Sequence, residues 1–74
     1  MGVLIEMSHV GDSKKMWNPN NPDEVDDARR SFKRLKEKGY LSYTVDENGE
    51  KGKMIQEFDP EAGKIIMSPP MAGG

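Results

Sequence analysis

The sequence predicts an α+β domain, one helix packed on a mixed sheet, in the order β-β-α-β-β-β. Three observations carry this. A charged segment between positions 21 and 39 has a capping start, a glycine stop and one apolar stripe at helical spacing. Runs with strand-like alternation lie on both sides of it, at 1–10 and 14–17 before, and at 40–45, 53–58 and 64–67 after. With 74 residues the chain holds one domain at most, read here as residues 1–68 with a C-terminal tail over 69–74.

In the first strand Val3, Ile5 and Met7 alternate with Leu4, Glu6 and Ser8. The period of two puts Val3, Ile5 and Met7 toward the core and leaves Leu4 as an apolar residue on the polar side. Gly11-Asp12-Ser13 marks a turn, and Lys14 to Trp17 forms the return strand of a hairpin. Asn18-Pro19-Asn20-Asn21-Pro22 is a loop, because proline cannot donate to a ladder.

The helix is expected from Pro22. Asn21 suits the N-cap, proline suits the first helical position, and Glu24 can reach back to the cap as in a capping box. Asp23, Glu24, Asp26 and Asp27 fill the early turns, and Arg29, Arg30, Lys33, Arg34, Lys36 and Lys38 the later ones. That order matches the helix dipole. Gly39 is the stop. Val25, Ala28, Phe32 and Leu35 form the stripe that packs on the sheet.

Beyond the helix, Leu41, Tyr43 and Val45 alternate with Tyr40, Ser42 and Thr44, and Asn48-Gly49 is a hairpin turn signal. Residues 53–58 form another strand of open register. Asp59 to Gly63 turns, and Lys64 to Met67 is the last strand, stopped by Pro69-Pro70. Leading from the second hairpin strand over the helix to a parallel neighbour requires a right-handed crossover. The last strand can then lie beside the first. This order is that of the β-grasp fold.

Composition excludes much. There is no cysteine, hence no disulfide, thiolate metal site or cysteine nucleophile. The single histidine, His9, cannot build a histidine metal site alone. Net charge is −2, which provides no general attraction to nucleic acid. The longest early apolar run, Val3-Leu4-Ile5, is broken at Glu6, so neither a signal peptide nor a membrane span is indicated. The expectation is a soluble, cytoplasmic protein, monomeric when free, with no cofactor and no catalytic group of its own. Charged residues make up 32% and aromatics 7%, so the core is small.

The most informative stretch is the end. Ile65-Ile66-Met67 runs through Ser68 into Pro69-Pro70-Met71-Ala72-Gly73-Gly74. Glycine is about 7% of average composition, so two terminal glycines arise by chance in about 0.5% of chains, and the context must carry weight. Position by position, the ending resembles that of ubiquitin-like β-grasp carriers, above all the molybdopterin-synthase small subunit and the thiamine sulfur carriers. The stretch from Glu61 to Gly74 carries the likeness: a turn, an apolar strand, two prolines, an apolar residue, a small residue and two glycines. The resemblance implies that an ATP-dependent activating enzyme adenylates the Gly74 carboxylate. It also implies transfer to an acceptor protein or synthase subunit as a thiocarboxylate, thioester or isopeptide. Gly73 and Gly74 would be the carrier terminus. Pro69, Pro70, Met71 and Ala72 would be the partner contacts. Glycines lack Cβ and thread a narrow channel, and two prolines stiffen the base of the tail.

Two readings from other classes stand beside it. The chain is also similar to short phage and prophage proteins, through Met16-Trp17-Asn18-Pro19, Lys38-Gly39-Tyr40 and Phe58-Asp59-Pro60, which implies an interaction or structural protein with an inert tail. A winged-helix DNA-binding module would use Arg29, Arg30 and Arg34 on a recognition helix and Lys51 and Lys53 on a wing around Asn48-Gly49. That module needs helices ahead of residue 22, where the sequence predicts strands, and the acidic residues at 23, 24, 26 and 27 would repel phosphates. A solvated helix face accounts better for the basic cluster. Met67, Met71 and Ile66 are candidates for an apolar patch beside the tail; Ile65 and Met67 are read as core residues, Met71 as the better contact, and Trp17 as a plug at the core edge. Asp46-x-Asn48-Gly49-Glu50 is too short for a calcium loop and is read as a turn.

Overall fold

The structure is a computed structural model that describes residues 1–8, 10–45, 48 and 50–70, with main chain alone at 51. Strands β1 (Gly2–Glu6) and β2 (Ser13–Trp17) precede helix α1 (Pro22–Glu37). Strands β3 (Leu41–Val45), β4 (Lys51–Met54) and β5 (Lys64–Ser68) follow. The five strands make one mixed sheet in the order β2-β1-β5-β3-β4, with α1 packed on one face, an α+β architecture. The α+β class and the order of elements are as the sequence predicts. Expectations that fall on His9, on the Gly49 half of the turn signal and on residues 71–74 lie outside the described residues.

Hairpin β1-β2 is antiparallel, from Gly2 opposite Trp17 to Glu6 opposite Ser13. β5 inserts beside β1 in parallel, Leu4 beside Ile65 and Glu6 beside Met67, so the last strand does lie next to the first. β3 pairs antiparallel with β5, and β4 with β3 across an irregularity between Tyr43 and Val45. The crossover differs from expectation. β3 does run parallel to β2, but β1 and β5 stand between them. The helix therefore carries the chain diagonally across the sheet.

The helix ends are built as their residues demand. The Asn21 side chain accepts from the amides of Asp23 (3.1 Å) and Glu24 (3.4 Å). Glu24 does reach back, but to the Asn18 amide (2.8 Å) and the Asn21 side-chain amide (3.1 Å). The Asn21 main-chain N–H, the capping-box target, is taken by the Asn18 carbonyl at 2.9 Å. At the other end Gly39 has φ +92°. Its N–H donates to Lys36 O and the Tyr40 N–H to Leu35 O, each at 3.0 Å, which is a Schellman closure.

Val25, Ala28, Phe32 and Leu35 are all buried, as the stripe requires, and Ser31 joins them. Under them lie Leu4, Trp17, Ile65 and Met67. Trp17 is fully enclosed. It meets Phe58 edge-on (4.9 Å between centroids), and Phe58 meets Phe32 in the same way (5.9 Å). The indole N–H donates to Pro60 O at 3.0 Å, so the 58–60 turn is pinned onto the core. Room for the indole exists because residue 2 is glycine: a Cβ there would lie 2.2 Å from Trp17 Cζ2.

The facing of β1 reverses the expectation. Gly2 and Leu4 of β1 are buried under the helix, whereas Val3 and Ile5 point to the opposite side and Met7 is exposed. In β3 Ser42 is fully buried while Leu41 is exposed. The Ser42 hydroxyl is satisfied by donating to Ile55 O at 2.6 Å. β4 also starts and ends earlier than expected: Ile55 still donates its N–H to Ser42 O at 3.0 Å, but residues 56–58 leave β3, and Phe58 meets Trp17.

Candidate functional site

β5 is the central strand, and the chain leaves it at Ser68 for the two prolines. The exit is held from both sides. On one, the Met7 N–H donates to Met67 O at 2.9 Å, extending the parallel ladder past β1. On the other, Leu41 pairs with Ser68, and the Tyr43 hydroxyl meets Ser68 Oγ at 3.1 Å. Pro69 is half-buried and Pro70 exposed. Pro70 lies over the helix stop: a Cβ built on Gly39 would sit 3.6 Å from its Cγ. So Pro69 and Pro70 leave the sheet between β3 and the end of α1. Met71, Ala72, Gly73 and Gly74 lie outside the described residues.

Ile65 and Met67 are fully buried, as the sequence reading favoured, so neither is available to a partner. Ile66 faces away from the helix, opposite Tyr43 and beside Ile5. Around it on the outer sheet face lie Val3, Met16, Leu41 and Met54 by register, with Lys14 and Lys64 on the same side. Met16, Leu41 and Met54 are exposed. Among the described residues no element covers this face, the helix lying on the other.

Sequence reasoning reached only the centre of this surface, Ile66, and not Val3, Met16, Leu41 or Met54 around it. The available signal was three consecutive apolar residues, Ile65-Ile66-Met67, which in a strand load both faces. The basic residues of α1 lie largely in solvent, where Arg29 pairs with Asp26 (2.7 Å) and Lys15 reaches Asp27 (3.0 Å) and Ser31 Oγ (2.9 Å). Among the described residues α1 is the one helix, and it is not long and apolar enough to cross a membrane. The winged-helix reading thus lacks the preceding helices it requires. No group of metal-ligating side chains is found among the described residues. No family model, curated protein or solved structure matches this chain.

Proposed function

We propose that the protein is a ubiquitin-like carrier or modifier of β-grasp type that acts through the carboxylate of Gly74. The observation that carries the reading is the exit of the central strand β5 into the stretch Pro69-Pro70-Met71-Ala72-Gly73-Gly74. The strand order β2-β1-β5-β3-β4, with parallel β1 and β5 central under one helix, is compatible with a β-grasp domain. In this reading the chain supplies no catalytic group. A carboxylate oxygen of Gly74 attacks the α-phosphorus of ATP on an activating enzyme, and pyrophosphate leaves. A sulfur or amine nucleophile of the acceptor then takes the acyl group, and AMP leaves.

The test uses the full chain with ATP and the adenylating enzymes of its host. The expected result is pyrophosphate release and a mass change at the C-terminus, both lost when Gly74 is deleted. Absence of any adduct across those enzymes would sink the reading. The uncovered outer sheet face favours a second reading, an interaction protein with an inert tail. That reading predicts partner binding unaffected by loss of Gly73 and Gly74 but weakened by Met16→Lys or Met54→Lys.

A further inference from the structure

A cavity lies away from the tail, between α1 and the segment that follows β4. It encloses about 340 Å³ and is open along one side. Its apolar floor is Phe32 and Phe58, which touch edge to face. Its helical wall carries Arg29, Lys33 and Lys36. The spacing of four and then three residues stacks these cations in one row along the helix. Arg29 is held by Asp26, whereas Lys33 and Lys36 have no ion-pair partner among the described residues. The opposite wall is Gln56 and Glu57.

From this we infer that the cleft is a docking site for an acidic peptide segment of a partner protein, one bulky apolar side chain of which packs onto the floor made by Phe32 and Phe58. Each part of the cleft corresponds to a part of such a segment. The volume is near the lower end for small-molecule pockets, about 300–1,000 Å³, and with one side open it suits a single inserted side chain. The aromatic floor provides the desolvated anchor point that dominates peptide affinity. Lys33 and Lys36 face the flanking carboxylates, outnumbering the one carboxylate at the mouth, Glu57. The cleft shares no residue with the stretch 69–74, so peptide docking and the carrier reading stand or fall separately.

The experiment is an amide NMR titration of the isotope-labelled full chain with acetyl-Glu-Glu-Phe-Glu-Glu-amide. Shifts should be confined to the Arg29–Lys36 turns and residues 56–58, and binding should weaken with salt. The double variant Lys33→Glu/Lys36→Glu should keep its helical circular dichroism and bind about tenfold more weakly. Should that variant fail to fold, Lys33→Gln/Lys36→Gln should still lose about threefold. The inference is overturned by an absence of shifts at millimolar peptide, by shifts centred on the outer sheet face, or by undiminished binding to either variant. It is overturned equally if the same peptide with alanine for phenylalanine binds as well. Phenylacetate binding as tightly as the peptide would show a small organic acid site instead, and would overturn it too.

Discussion

The two faces of the sheet are made of similar residues and have opposite fates. On the helix side, Leu4, Trp17, Ile65 and Met67 are almost completely enclosed. On the outer side, Val3, Ile5 and Ile66 are half-buried among exposed Met16, Leu41 and Met54. What separates them is the opposing layer. The inner face also tolerates small residues where space is needed: Gly2 makes room for the indole, and Ser42 lies next to the strand exit. Hydrophobicity alone therefore does not select the core side of a strand; fit beneath the helix does.

The contrast can be broken most severely at neighbouring residues of β2. Trp17→Ala should cost about 3–5 kcal/mol, out of the roughly 4–11 kcal/mol a domain of this length holds. Urea melts should show the cooperative transition nearly abolished. Gly2→Ala comes next. The added methyl meets the enclosed ring rather than solvent, and about 1–3 kcal/mol should be lost, read as a lower urea midpoint with unchanged slope.

Smaller effects follow. Ser42→Ala removes the buried bond to Ile55 O and should cost about 1 kcal/mol. Asn21→Ala, at the helix start, should cost a similar amount, about 0.5–2 kcal/mol, and lower helical ellipticity. Smallest of all are Met16→Thr and Met54→Thr on the outer face, each within about 0.5 kcal/mol of the parent. A loss at Met16 comparable to that at Trp17 would mean that the outer face is covered in solution, and the contrast would fail.

The helix was legible to the residue because its signals are local. Asn21 and Pro22 start it, Gly39 ends it, and a stripe at one spacing names its buried side. Strand facing was not legible, because apolar residues occupy both sides. In β1 the run Val3-Leu4-Ile5 fits either phase, and in β3 a buried serine reverses the simple pattern. The choice is made by distant partners, the indole over Gly2 and the Ser42 bond to Ile55. Residues 56–58 were expected to extend β4 because their alternation is strand-like. Burial of Phe58 against Trp17 outweighs the ladder there. For the candidate site, Pro69-Pro70 as a ladder stop was readable, since proline cannot donate. Their seat over Gly39 was not, because it joins positions far apart in sequence.

The position of β5 also governs the order in which the molecule can assemble. Among the described residues, hairpins β1-β2 and β3-β4 share no ladder with each other, and the sheet joins them through β5. During synthesis the two hairpins emerge first and remain separate until residues 64–68 are available. Two-stranded hairpins are marginal alone, and joining distant segments late is entropically slow. The strand that leads to the tail is thus also the one that completes the domain, so a chain interrupted before residue 64 would have no continuous sheet.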